Sequence, residues 1–397
     1  MNSYEMTNMD NIYLDNNATT ATDPEVVEAM IPYLQQAYGN ASSVHSTGRE
    51  AKVALESARE QVAAFIGCEP SEFYFTSGGT ESDNIAVLGT AYHLRNRRDH
   101  LIVGATEHHA VLEPAEHLAN REDFGLDILP VDGDGFASVA DLEKLITPKT
   151  AIVSVMHGNN ETGAIQDIAA LADIARDKNV LFHTDAVQTC GKMPVDVRKL
   201  GVDMLSLTAH KVYGPKGIGG LFIRQGVKIA PLFYGGSHEK KRRPGTENVA
   251  GAVALAKTFG LAAARMEEDY ARLTELADFF IEQVTAKIPD VSLNGPRTNR
   301  VPQTVNLSFM GIEGESIVLS LDLEGIACSS GSACTSGATG PSHVLAAMDK
   351  PPMAAQGAVR FSMGHATTQK DLEYVIEKLP PIIGRLREMS PLYSSSK

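Results

Sequence analysis

Between Asp23 and Gly226 the apolar residues follow two alternating rhythms. Val26, Val27, Met30, Ile31 and Leu34 recur at helical spacing after Thr22-Asp23-Pro24-Glu25, a string that predicts a cap, a proline in the first turn and a capping-box glutamate. Leu55, Ala58, Val62 and Phe65 repeat that spacing ahead of Gly67. Between such stretches lie short runs bounded by Gly, Asp or His: Phe73–Phe75, Leu101–Val103, Ala151–Met156, Val180–Phe182, Met204–Leu207 and Leu221–Ile223. Runs of this length predict strands buried on both faces, and their alternation with helices predicts a mostly parallel sheet with crossover helices.

A second part reads as α+β. A long helix is predicted near Gly251–Ile288, strands at Thr304–Phe309 and Ala358–Ser362, and a helix at Glu315–Leu323. Leu372, Val375, Ile376 and Leu379 give the tail a helical pattern that Pro380-Pro381 should break or kink. The one low-complexity stretch inside the fold, Ser329–Gly340, holds only Ser, Gly, Ala, Thr and Cys.

Composition narrows the picture. With 397 residues, 43% of them apolar, the chain has material for more than one globular domain. The net charge of −14 disfavours direct binding to nucleic acid or anionic lipid. One basic run, Lys240-Lys241-Arg242-Arg243, departs from that balance. The N-terminal MNSYEMTNMDN is polar and no run approaches the ~18 apolar residues of a membrane span, so a cytoplasmic protein is expected. Cys68, Cys190, Cys328 and Cys334 form no CxxC and no zinc-finger spacing, which leaves packing or thiol chemistry.

Ligands of open α/β sheets bind outside the carboxyl ends of the strands, so polar residues just past each predicted strand are the candidates. Thr76-Ser77-Gly78-Gly79-Thr80 opens a helix as phosphate sites do, and His108, Asn160, Asp185 with Gln188, and Thr208, His210 and Lys211 follow further strands. Any one of these is unremarkable alone. Together they describe a pyridoxal phosphate site: a phosphate cradle, a Schiff-base lysine, an acid for the ring nitrogen and an aromatic ring to cover it.

These residues sit in long strings, among them Tyr13-Leu14-Asp15-Asn16-Asn17-Ala18-Thr19-Thr20, Thr106-Glu107-His108, Asn159-Asn160-Glu161-Thr162-Gly163, His183-Thr184-Asp185-Ala186-Val187-Gln188 and Ser329-Ser330-Gly331-Ser332-Ala333-Cys334-Thr335-Ser336. In them the chain resembles, over nearly its whole length, the cysteine desulfurases of the NifS and IscS type. These belong to the class V aminotransferase group of fold-type I pyridoxal phosphate enzymes. The resemblance implies a large domain over residues 17–262 with a seven-stranded, mostly parallel sheet. A small α+β domain would take residues 1–16 and 263–397 and carry a mobile cysteine loop at about 326–340.

It also implies roles. Lys211 would carry the cofactor, His108 would stack on its ring and shuttle protons near neutral pH, and Asp185 would bind the ring nitrogen. Asn160 and Gln188 would lie near the ring hydroxyl. Gly79, Thr80, Thr208 and His210 would hold the phosphate, with Thr246 reaching across from the other subunit of a homodimer. Thr208 and Ala209 stand where many relatives have Ser and Gly, and the hydroxyl is kept. Arg360 would clamp the carboxylate of L-cysteine, assisted by Asn17 and Asn40, since a guanidinium fork suits a carboxylate. Cys334 would take the sulfur as a persulfide, pass it to an iron–sulfur scaffold or another acceptor protein, and serve at most as a transient iron–sulfur ligand. The Ser390-Pro391-Leu392-Tyr393 tail is a docking element by resemblance only.

Some strings lead elsewhere. Asp132, Asp134 and Glu143 mimic a calcium loop, but Phe136 and Ala137 occupy its fifth and sixth positions, so a turn is expected. His108-His109 lacks further ligands at metal spacing, and no metal is expected in the active site. Cys328 reads as a packing thiol. Selenocysteine lyase, cysteine sulfinate desulfinase and a noncatalytic sulfur-transfer scaffold are the competing readings.

Overall fold

The computed structural model describes residues 11–330 and 342–393. Cys334 lies outside the described residues.

Seven strands form the main sheet, in the spatial order Phe73–Thr76, Gly219–Ile223, Met204–Thr208, Leu181–Asp185, Thr150–Ser154, His100–Gly104 and Gly125–Leu129. Gly219–Ile223 runs antiparallel to both neighbours, and the other pairs are parallel. Successive side chains feed opposite faces. Phe73, Phe75, Ile102, Val153 and Leu205 join one apolar core, whereas Tyr74, Leu101, Val103, Ile152 and Met204 join the other. Both faces are covered by helices, which is why these strands read as unbroken apolar runs.

The edge strand Gly125–Leu129 is absent from the predicted runs, because only Leu129 in it is buried and Asp127 interrupts it. Asp185 and Thr208 are the last residues of their strands and do not lie beyond them. In the first helix, Pro24–Gln35, Asp23 is the cap and accepts a hydrogen bond from the Glu25 N–H. Glu25 then stands one position too early to close the expected capping box.

The 39-residue helix Val249–Lys287 changes partners along its length. Val249, Leu255 and Phe259 pack on the sheet, while Leu273, Phe280 and Val284 pack with Val305, Leu307, Phe361 and Leu372 in a separate core. It is apolar and long enough to cross a membrane, but 56% of its most apolar window is buried within the fold.

That second core backs a four-stranded antiparallel sheet ordered Ser329–Ser330, Ala358–Ser362, Thr304–Phe309 and Val291–Leu293. The tail helix Gln369–Met389 runs through Pro380 and Pro381 without the break that was one of the two expected outcomes. Leu379, Ile382 and Ile383 on either side of the prolines are buried in the second core. Burial of side chains of this size is worth ~1.5–3 kcal/mol each, enough to offset the two missing backbone donors.

One short segment joins the two parts. Ile12–Tyr13 pairs in parallel with Ile326–Ala327, Asn17 N–H donates to Ser362 Oγ at 2.9 Å, and Thr20 N–H donates to the His210 carbonyl at 2.9 Å.

Candidate active site

The strand ends, this segment and Arg360 enclose a cavity of about 290 Å³. Gly79, Thr80, His108, Asn160, Asp185, Gln188, Thr208, His210, Lys211, Arg360 and Asn17 all line it. The fold thus gathers residues spread from position 17 to position 360.

Helix Gly79–Leu94 points its first turn into the cavity wall. The approach is close: a Cβ on Gly79 would lie 2.8 Å from Val187 Cγ2, and one on Gly219 would lie 2.7 Å from Gly78 Cα. Glycine lets backbone N–H groups face an anion at such a turn, and the Thr208 hydroxyl stands beside it, 3.7 Å from where a Gly78 Cβ would be.

Asp185 is buried, and its Oδ1 accepts the Val187 N–H at 2.8 Å. Burial pushes its carboxyl up to about 6, while the Val187 N–H and the Lys211 charge pull the other way. A cationic ring nitrogen beside it would favour the ionised form. Lys211 Nζ donates to the carbonyls of Asn17 at 2.6 Å and Ala18 at 2.8 Å.

His108 caps helix His109–Arg121, its Nδ1 accepting the Ala110 N–H at 3.1 Å. That bond leaves the proton of the neutral ring on Nε2. Burial lowers its pKa to about 4, aided by the charges of Lys211, His109 and His343. The ring is therefore neutral at pH 7, which corrects the expectation that it titrates near neutrality. Burial, and then Lys211, likewise bring His210 down to about 4.

Arg360 is 3% exposed, with Nη2 on Asp15 Oδ1 at 2.8 Å and Nη1 on the Asn160 carbonyl at 3.1 Å. Its Nε is buried and, among the described residues, has no hydrogen-bond partner. An orphaned donor on a buried guanidinium fits an incoming carboxylate, because a buried unmade bond is costly.

The remaining candidates are placed differently. Asn17 lines the cavity, but its amide is occupied by the Asn160 carbonyl, Thr304 and Gln303, so its backbone carbonyl faces Lys211 and Gln188 instead. Asn40 is exposed, with its Oδ1 on the Ser42 N–H at 2.8 Å, and does not line the cavity. Thr246 is also exposed and away from it. The basic run is not free: Arg243 pairs with Glu81 at 2.9 Å, and Lys240 and Arg242 lie over the Tyr74 ring. Cys328 packs against the second core, and burial, then Asp15, pushes its thiol up to about 12. Asp132 Oδ1 accepts the N–H groups of Asp134 and Phe136, as a turn does.

Two acids not singled out from the sequence belong to this site. Asp15 is the partner of Arg360. Asp83 lines the cavity fully buried, one turn along the helix from Gly79, and burial followed by the Asp185 charge holds its carboxyl well above the usual range. Asp83 stands among Thr80, Glu81, Ser82 and Asn84, so nothing in the sequence marks it as an inward-facing acid.

Class V aminotransferases match the chain over residues 12–375. A cysteine desulfurase IscS of Dictyoglomus turgidum is 50% identical over 380 residues, 96% of each chain. A solved NifS-like protein superposes with a TM-score of 0.89 at 37% identity, over 95% of this chain and 100% of its own. SspA, solved in complex with cysteine, superposes with a TM-score of 0.79 at 32% identity, over 89% of this chain and 98% of its own. The chain therefore belongs to the class V aminotransferase family and shares its pyridoxal phosphate dependence. Within that family it is a cysteine desulfurase of the IscS and NifS type.

Proposed function

We propose that the cavity takes sulfur from L-cysteine, releases L-alanine and leaves a persulfide on Cys334. The observation that carries this reading is the convergence on one cavity of Lys211, Asp185 and the Arg360 Nε, which has no partner among the described residues. Pyridoxal phosphate, when bound, accepts the electron pair left at the substrate α-carbon. Gly79, Thr80, Thr208 and His210 would hold its phosphate, Asp185 its ring nitrogen, Asn160 and Gln188 its ring oxygen, and Lys211 its aldehyde carbon.

Arg360 orients the substrate by its carboxylate. Lys211, once free, removes the α-proton, and the Asn17 and Ala18 carbonyls hold the resulting ammonium at Nζ. His108 would cover the ring, while the proton of the Cys334 thiol ends on the methyl group of alanine and the substrate's own thiol proton stays on the persulfide. The carbon–sulfur bond of the substrate breaks as a sulfur–sulfur bond to Cys334 forms. Cysteine is thereby reduced to alanine while the Cys334 thiol is oxidised to the persulfide, so thiol and amino acid balance without another reactant.

Both ends of the segment bearing Cys334 support this role. Ser329 stands opposite Arg360 in the antiparallel pair. Ser342 Oγ donates to Glu161 Oε2 at 2.5 Å, next to the Asn160 that receives Arg360. Sulfur loaded there would pass to an iron–sulfur scaffold or another acceptor protein.

The large unit at 17–262 and the small one at 1–16 with 263–397 are supported by the separate cores, which change over between Ala262 and Leu273 on the long helix. A homodimer, with Thr246 completing the partner's phosphate site, is supported by the exposed Thr246 and by exposed Leu34, Tyr38, Val44 and Tyr234. Cytoplasmic action suits the free thiols of Cys68, Cys190 and Cys328. Lys211→Ala tests the core of the reading: the purified variant should lose the visible band of bound cofactor and form no alanine from L-cysteine. Normal turnover in that variant would overturn it.

A further inference from the structure

Lys192 has no part in the reading above, yet it is tied to the site. Its Nζ donates to Gln188 Oε1 at 2.8 Å. From the other end of that amide, Gln188 Nε2 donates to the Asn17 carbonyl at 3.0 Å, the same oxygen that receives Lys211 Nζ. Gln188 faces the cofactor cavity, whereas Lys192 lines a neighbouring one with Leu261, Met266, Leu273 and Met363.

A lysine in such surroundings normally needs a carboxylate, since burial disfavours its charge. The acids around this second cavity are already taken, Asp23 by Arg265 at 2.9 Å and Asp269 by His365 at 2.8 Å. Toward the site, the charged neighbours of Lys192 are Lys211 and Arg360, and His210 also lies within its field. Burial, then Lys211 and Arg360, holds its amine well below the ordinary lysine range. Among the described residues, its one hydrogen-bond acceptor is the Gln188 amide oxygen.

An amide has one donor end and one acceptor end. With an amine at Oε1 and a carbonyl at Nε2, the Gln188 amide has one allowed orientation. Nε2 carries a second hydrogen, and a donor there suits the ring oxygen of pyridoxal phosphate, which is an acceptor.

We propose that Lys192 is a positioning residue of the cofactor site, acting through Gln188. It locks the amide with its N–H end toward the cavity and polarises that N–H toward an anionic ring oxygen. This rests on the cofactor placement proposed above, and the test separates the two.

The visible absorbance of bound cofactor is titrated with pH in the parent holoenzyme, Lys192→Met, Gln188→Met and the double variant, with cofactor dissociation constants measured alongside. Lys192→Met should raise the spectral midpoint by ~0.5–1 pH unit, because the deprotonated form loses a polarised donor. It should also weaken cofactor binding about fivefold. The double variant should shift no further than Gln188→Met alone, since the two side chains act as one unit. Lys192→Gln, which keeps an N–H donor in place of the amine, should shift in the same direction by less, and it serves if the methionine variant does not fold.

A parental midpoint in a folded, loaded Lys192 variant overturns the inference while leaving the cofactor placement intact. Additive shifts in the double variant overturn it too, because Lys192 would then act around Gln188. A silent Gln188→Met removes Gln188 from the ring oxygen, and the inference falls with that placement.

Discussion

The cavity has two unlike walls. One is made of strand ends and the turns that follow them, with Gly79, His108, Asp185, Thr208 and Lys211 carried on or next to one sheet. The other is assembled from the Asn17 segment, Asn160 and Arg360, held together by side-chain bonds across up to 345 residues of sequence. The sheet fixes the first wall through ladder hydrogen bonds and packed faces that owe nothing to the ligand. The second wall depends on Asp15, Asn17 and Glu161, each buried or half-buried and each bonded to a distant element. The first wall therefore suits the cofactor, which stays through the reaction cycle. The second suits a substrate that must enter, be oriented and leave.

The largest effect should come from breaking the first wall. Asp185→Ala removes the acid proposed to face the ring nitrogen and should lower kcat for L-cysteine by ~10³-fold or more, a loss comparable to removing an electrostatic stabiliser of the transition state. A loss under tenfold in steady-state assays of loaded enzyme would show that the sheet-borne acid is not what activates the cofactor. Breaking the second wall should act on binding. Arg360→Lys keeps the charge but loses the fork, so KM for L-cysteine should rise ~10–100-fold with a much smaller change in kcat. A change in kcat alone would erase the distinction between the walls.

A smaller effect is expected at the seam. Glu161→Gln leaves an acceptor for Ser342, so activity should fall only about two- to fivefold. Its stability signature is sharper. Burial raises the Glu161 carboxyl to about 7, with the Ser342 bond and the Arg360 charge opposing. An unfolded glutamate titrates near ~4.3. Between these values the folded chain holds a proton that the unfolded chain has lost, so this contribution to stability is full below the lower value and is lost as pH rises through 7. The parent should therefore lose melting temperature relative to Glu161→Gln as pH rises from about 5 to about 8. A constant difference across that range would mean that Glu161 does not titrate in the fold.

The two walls also differed in how they could be read from sequence. Strand runs such as Met204–Leu207 announced the sheet, and the polar residues at or just past their ends formed the first wall. The edge strand around Asp127 did not announce itself, because half-exposed positions dilute the apolar signal. The second wall was legible only as motif text: nothing in the spacing of Asp15 and Arg360 says that they meet. Pro380-Pro381 spoke for a broken helix, and the packing of Leu379 and Ile382 prevailed. Asp83 and Lys192 look in sequence like ordinary surface charges, and only the fold buries them or sets them against a cavity.

Cys334 is where the account meets its most direct test. Loaded enzyme mixed with one equivalent of L-cysteine, then quenched and digested under conditions that preserve persulfides, should show one added sulfur on the Cys334 peptide for each alanine released. Cys334→Ser should show none, and Cys328→Ser should behave as the parent. Added sulfur on Cys328, or alanine formed at the parental rate without Cys334, would contradict the account.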